Sequence, residues 1–336
     1  IAVAPIEHLV YVRVWGISDL DGDGCSGVSV SHATDDGAWK STFRVVSGRS
    51  GKDILTLVSS DYLVSDALVT TGATDRVPVL VVGETSANPA MAGRVRFLDK
   101  SGVARMSLRS GLPAADSFQF GSRVTSVKDL DGDSYSDVLV TCPNKKGGCA
   151  ACFSSRTGMR LAEVAPHLGD TGIGRSIASL DDVDGDGIGD FVVGGCSYRP
   201  NGSATEFVRV YSGKDGRELR QFEKAGVDGF GTHILPLGDI DGDSVTDIVI
   251  CSPSDAISNL EPSRTGSAAL YSVKSGDLLW RRVIADANAQ AGYLDGYVCG
   301  DVDDDSTADI VLQGLRHYYV ISGRTGDIIR RICYSR

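Results

Sequence analysis

Four stretches of the chain share one acidic nine-residue pattern, Asp-x-Asp-x-Asp-x-x-x-Asp, running from Asp129 to Asp137, Asp182 to Asp190, Asp239 to Asp247 and Asp301 to Asp309. Carboxylates packed this closely repel one another and raise each other's pKa values unless a cation lies among them. Calcium suits the spacing, because it takes six to eight oxygen ligands at roughly 2.3–2.6 Å and accepts carboxylates mixed with backbone carbonyls. The expected carboxylate ligands are Asp129, Asp131, Asp133 and Asp137 in the first full copy, and Asp182, Asp184, Asp186 and Asp190 in the second. Asp239, Asp241, Asp243 and Asp247 serve the third, and Asp301, Asp303, Asp305 and Asp309 the fourth. Position 7 would add a carbonyl from Tyr135, Ile188, Val245 or Thr307.

An EF-hand opens the same way but requires a bidentate Glu at position 12 and flanking helices. Position 12 here is Val140, Val193, Ile250 or Leu312, each inside an apolar run such as Val138-Leu139-Val140 or Ile248-Val249-Ile250. Such runs read as buried strands, so the loop leads into a strand. A solvated acidic turn would explain one copy, since turns favour Asp and Gly, but not four in register.

The 336 residues include 42% hydrophobic residues, 41 glycines and 10 prolines, enough for a sizeable core and many tight turns. No apolar run approaches the ~20 residues of a membrane-spanning helix, and Ile1 to Pro5 is too short for a signal peptide. The net charge of −11 argues against nucleic acid as a partner. Four calcium ions carry eight positive charges, which would leave −3, so most of the acidity reports metal sites. Eight cysteines and open calcium loops suit an oxidising, calcium-rich location: extracellular, cell-surface or periplasmic. Structural disulfides are the expected use of the cysteines, with free buried thiols or a metal or redox site around Cys142, Cys149 and Cys152 as alternatives.

In register with the acidic loops, each unit continues as an apolar strand, a polar connection, a second strand ending in a Ser-Gly-type hairpin, and a further strand. The hairpin glycines Gly51, Gly102, Gly158, Gly216, Gly276 and Gly326 are spaced 51, 56, 58, 60 and 50 residues apart, which makes six units. The first unit keeps Asp19, Asp21 and Asp23 but has Gly27 at the ninth position, a weak site. The second, around Thr70 to Pro78, has lost the pattern and keeps only the strand Val79-Leu80-Val81-Val82. In the last loop Asp304 replaces Gly132, Gly185 and Gly242, and Asp tolerates a left-handed backbone better than most residues. Four short strands repeated six times must stack to bury their faces. The fold class predicted is all-β, a β-propeller of four-stranded antiparallel blades, with six blades favoured over seven and residues 1–336 forming one domain.

The unit resembles the FG-GAP repeat of the integrin α-subunit N-terminal propeller family. Phe120-Gly121 and Phe230-Gly231 match its opening Phe-Gly, and Ile173-Gly174 is a near match. Val140-Thr141-Cys142-Pro143 and Ile250-Cys251-Ser252-Pro253 stand where the Gly-Ala-Pro element is expected. The first, second and sixth units lack a clear Phe-Gly, so the resemblance is strongest from about residue 118 to 255. It implies calcium-binding loops on an extracellular interaction platform.

Meander geometry places the acidic loops and the Ser-Gly hairpins at one end of each blade. The longer connections fall at the other end: Ser31 to Trp39, Glu84 to Gly93, Cys142 to Cys149, Cys196 to Thr205 and Cys251 to Gly266. Variable loops on a rigid scaffold are where binding usually resides, so a protein or glycan ligand is expected there and calcium is assigned a structural role. His8, His32, His167, His233 and His317 are scattered and sit in no catalytic motif, so no catalytic residue is predicted. The segment Leu270 to Trp280 is similar to a repeat of quinone-cofactor propeller dehydrogenases, but the other units lack the tryptophan and Trp280 reads as a blade-packing residue. The leading expectation is a non-catalytic calcium-binding adhesion or interaction module. A carbohydrate-active lyase or hydrolase on a propeller scaffold, or a purely structural domain of a larger surface protein, are the alternatives.

Overall fold

The computed structural model describes residues 9–35, 39–71, 77–86, 88, 90–117, 119–143, 147–198, 203–225, 229–253, 266–284, 295–314 and 316–333. Its strands form six four-stranded antiparallel sheets, each joined in sequence order, and the architecture is a six-bladed β-propeller. Two compact units, Ile1–Ala165 and Pro166–Arg336, hold three blades each.

In the first unit, blade 1 comprises β1 (Leu9–Ile17), β2 (Gly27–Asp35), β3 (Trp39–Val46) and β4 (Asp53–Ser59). Blade 2 comprises β5 (Tyr62–Thr71), β6 (Pro78–Ser86), β7 (Arg94–Leu98) and β8 (Ala104–Leu108). A single helical turn, α1 (Ala114–Ser117), precedes blade 3, which is β9 (Val124–Val127), β10 (Asp137–Cys142), β11 (Cys149–Phe153) and β12 (Arg160–Glu163). In the second unit, blade 4 is β13 (Asp170–Ser179), β14 (Phe191–Tyr198), β15 (Ala204–Tyr211) and β16 (Glu218–Ala225). Blade 5 is β17 (His233–Gly238), β18 (Asp247–Ser252), β19 (Gly266–Tyr271) and β20 (Leu278–Ile284). Blade 6 is β21 (Asp295–Val298), β22 (Ile310–Gln313), β23 (His317–Ile321) and β24 (Ile328–Cys333).

Second strands such as β10 and β18 are covered on both faces, which is why they read as continuous apolar runs; every residue of both is buried. Fourth strands such as β8 and β24 lie largely exposed. Core clusters join neighbouring blades: Phe43, Val45, Leu80 and Val82 between blades 1 and 2, and Val192, Val208, Ile248 and Ile250 between blades 4 and 5.

The Phe-Gly pairs act at these seams. Phe120 is buried edge-on against Phe153, with ring centroids 6.1 Å apart. Gly121, at φ 86°, passes so close to blade 2 that a Cβ there would lie 2.7 Å from the Arg94 carbonyl. One on Gly83 would lie 2.2 Å from the Gly121 carbonyl. Aromatic filling and backbone approach are thus one device, repeated where Phe230 is buried and a Cβ on Gly231 would meet Val208 at 2.5 Å.

Two expectations need correction. All eight cysteines are free thiols, so the disulfides expected from their even number are absent. Cys142, Cys149 and Cys152 share blade 3, and among the described strand pairings only Cys142 and Cys149 stand as directly opposed partners. The connection expected from Ser31 to Trp39 is mostly strand, because β2 continues to Asp35 and β3 begins at Trp39.

Candidate metal centres

Each acidic loop folds around its first aspartate. Asp129 Oδ1 accepts the amides of Gly132 at 2.7 Å and Asp133 at 3.1 Å, while its Oδ2 accepts Ser134 N–H at 2.7 Å. Asp182 and Asp239 repeat all three contacts, Asp19 repeats them in blade 1, and Asp301 takes the amides of Asp305 and Ser306. Hydrogen bonds to the ionised form, led by those from Gly24 and Ser244, hold the Asp19 and Asp239 carboxyls below the usual range. Turning three amides onto one carboxylate requires a left-handed backbone at positions 4 and 6. Gly132, Gly185, Gly242 and Asp304 supply it at position 4, the last at φ 60°. Position 6 carries it at Ser134, Ser244 and Ser306, with φ of 71°, 71° and 70°, a strain that no residue-type preference announced.

The ninth aspartate opens the second strand, or stands one residue before it, and is fully buried. Asp137 Oδ2 accepts Leu130 N–H at 2.8 Å and Oδ1 accepts Ser155 N–H at 3.1 Å; Asp190 takes Val183 and Gly213, and Asp309 takes Val302 and Gly323. Asp247 Oδ2 accepts Ile240 N–H at 2.9 Å, but its buried Oδ1 has no partner. Burial pushes Asp137, Asp190 and Asp247 from 3.8 up to about 6, and neighbouring carboxylates add to the shift. In blade 1 the site cannot be completed in this way. A Cβ on Gly27 would sit 2.6 Å from the Val46 carbonyl.

Ligand oxygens of positions 1, 3 and 9 lie within 4.8 Å of one another in the sets Asp129/Asp131/Asp137, Asp182/Asp184/Asp190, Asp239/Asp241/Asp247 and Asp301/Asp303/Asp309. Asp19, Asp21 and Asp23 do the same in blade 1. Oxygens on opposite sides of a calcium ion stand about 4.6–5.2 Å apart, so these sets are within reach of one cation as they stand. Hard oxygen donors, close like charges and the orphaned Asp247 Oδ1 all fit a divalent ion.

Position 5 is placed differently. Asp133, Asp186, Asp243 and Asp305 each use Oδ1 to accept the amide of position 7, at Tyr135, Ile188, Val245 and Thr307. The other oxygen points toward the hairpin. Ser47 Oγ donates to Asp23 at 2.8 Å, Ser272 to Asp243 at 3.3 Å and Ser322 to Asp305 at 3.4 Å, while Lys214 Nζ stands 3.7 Å from Asp186. Asp133 Oδ2 is buried without a partner. The hairpin serines were visible as a repeated residue, but their contact with the loop was not. Residues 72–76, where blade 2 has lost the pattern, lie outside the described residues.

His32, His167, His233 and His317 stand on or beside four different blades, and His8 lies outside the described residues. Trp280 packs its ring on Gly326 and donates Nε1–H to the Gly323 carbonyl at 2.8 Å, a contact between blades 5 and 6. No helix among the described residues is long and apolar enough to cross a membrane.

No protein-family model matches the chain. Integrin alpha-2 of Mus musculus is 31% identical over 152 residues, covering 39% of this chain and 13% of that protein. The propeller is integrin-alpha-like, and the chain spans only a small part of that relative's length. Among solved structures, BBS1N in complex with ARL6DN superposes with a TM-score of 0.57 at 11% identity, covering 97% of this chain and 82% of that one. The exotype rhamnogalacturonan lyase YesX gives 0.49 at 13% identity, covering 94% and 58%. The BBS1N likeness speaks for the fold alone.

Proposed function

We propose that the six repeats of residues 1–336 act as one extracellular, non-catalytic interaction module whose acidic loops bind calcium as a structural ion. The observation that carries this reading is the recurrence of one oxygen set, positions 1, 3 and 9, within 4.8 Å in four blades. A cation there would be held by Asp129, Asp131 and Asp137 and their equivalents, with position 5 and the position 7 carbonyl completing the shell. In blade 1 the weaker set is Asp19, Asp21 and Asp23. Calcium would supply charge neutralisation, and so would rigidify the end of each blade where loop and hairpin meet.

Similarity to integrin alpha-2 supports a protein ligand, and the opposite end of the blades offers the variable connections such a ligand would use. A cell-surface, secreted or periplasmic location follows from the same reading. The experiment is a thermal melt with calcium and with chelator, followed by a screen for surface-protein ligands in both conditions. A melting temperature indifferent to chelator would sink the calcium assignment. Ligand capture that persists equally without calcium would sink the structural link between ion and binding.

A further inference from the structure

Between blades 1 and 2, at the end opposite the acidic loops, lies a cavity of about 230 Å³. Its floor is the buried carboxylate of Glu84, at the end of β6. Arg96 already satisfies Glu84 with two parallel bonds, Nε to Oε2 at 2.7 Å and Nη2 to Oε1 at 2.6 Å. Arg94 adds only its Nε, at 2.6 Å to Oε2. Its guanidinium carbon lies over the Tyr62 ring, 4.0 Å from the centroid, and a quarter of its side chain is exposed. No acceptor among the described residues meets its two Nη groups. The cluster therefore has two cations against one anion, and the spare positive fork is held in place by the ring beneath it.

We propose that this cavity binds the carboxylate of a Glu or Asp side chain presented by a protein partner. A planar carboxylate matches the two Nη donors of Arg94, and the cluster's single surplus charge matches a singly charged acid. The remaining walls suit a short aliphatic stem: Phe43, Leu57, Val58 and Val64 line the cavity. A sugar acid would bring several hydroxyls needing partners. The cavity offers Ser41, Thr56 and Ser59, and Ser59 Oγ already accepts the amides of Asp61 and Tyr62. The inference rests on the reading of the protein as a protein binder and names one chemical feature of its partner.

The test is a titration of the full chain in calcium, followed by NMR of the arginine side chains and of the Tyr62 and Val64 amides. The probe is N-acetyl-glutamate amide, with the glutamine analogue, glucuronate and inorganic sulfate in parallel. The acidic amino acid should shift Arg94 saturably, and the neutral analogue should bind about tenfold more weakly. Arg94→Gln should abolish the response of Tyr62 and Val64 while Arg96 keeps Glu84 paired. Arg94→Lys, which keeps the charge without the fork, should weaken it and guards against loss of fold in the first variant. An unmoved Arg94, equal response to the glutamine analogue, or equal or better binding of glucuronate or sulfate would each overturn the proposal. These outcomes are independent of the chelator melt, so failure of the pocket and failure of the calcium reading are told apart.

Discussion

Asp190 Oδ1 accepts the amide of Gly213 at 3.0 Å, joining the last residue of an acidic loop to the hairpin 23 positions further along. Its Oδ2 takes the Val183 amide at 2.7 Å, so one buried carboxylate stitches the loop to itself and to the far side of the blade. Asp190→Asn leaves one of these amides facing an NH2 group. In chelator at neutral pH the variant should change stability little, because the unmatched buried donor costs about 1–3 kcal/mol while the buried charge that raises the Asp190 carboxyl to about 6 is removed. In calcium a clear loss should appear, because a charged ligand has gone. Urea denaturation of both proteins in both conditions checks this; equal losses would remove Asp190 from the metal site.

The pH dependence of the metal-free protein has a definite sign. Burial raises Asp137, Asp190 and Asp247 to about 6, against an ordinary value of 3.8. The fold therefore prefers their neutral form. The stability they contribute is fully present below about pH 3.8 and is lost as pH rises through 6. In chelator, melting temperature should fall between pH 4 and pH 7 from these groups. Calcium must displace the protons, so its affinity should rise over the same interval, measurable by calorimetric titration. A chelated protein that gains stability across that interval would contradict the assignment.

What could be read from the sequence was whatever repeats along it. The carboxylates of Asp129 to Asp137, the hairpin glycines and the apolar runs of β10 and β18 each declare themselves within ten residues, and together they specify six antiparallel blades. Features that depend on a neighbouring blade did not declare themselves. Gly83 must be small because Gly121 lies against it, and nothing near residue 83 says so. The pairing of Glu84 with both Arg94 and Arg96 needs the register of β6 on β7. The disulfide expectation failed for a related reason. Cysteine parity reports a compartment, whereas pairing requires geometry, and only Cys142 and Cys149 are directly opposed among the described strands.

Left-handed serines offer a stabilising change. Ser134 and Ser244 sit at φ 71°, where a Cβ costs roughly 1–2 kcal/mol. Glycine relieves that cost but loses about 0.5–1 kcal/mol to backbone entropy. Ser134→Gly and Ser244→Gly should each gain up to ~1 kcal/mol, with calcium affinity unchanged because the serines contribute only their amides to Asp129 and Asp239. Chemical denaturation at fixed calcium decides it, and a loss of stability would show that the loop already holds these residues without strain.

The seam between blades 2 and 3 makes the sharpest distinction between filling and fit. Phe120→Ala empties a fully buried ring site against Phe153 and should cost about 3–5 kcal/mol. Gly121→Ala adds a single methyl, yet it places that methyl 2.7 Å from the Arg94 carbonyl on a backbone at φ 86°. Both the clash and the left-handed strain oppose it, and neither neighbour is the free end of a flexible side chain. A cost comparable to that of Phe120→Ala is expected from a change one-sixth its size. Gly132→Ala is the control, since its φ is 78° but nothing lies within 4 Å of the added carbon. It should lose only the left-handed penalty, about 1–2 kcal/mol. Urea midpoints in saturating calcium rank the three variants. If Gly121→Ala falls no lower than Gly132→Ala, the close approach of the two blades is not what constrains that glycine.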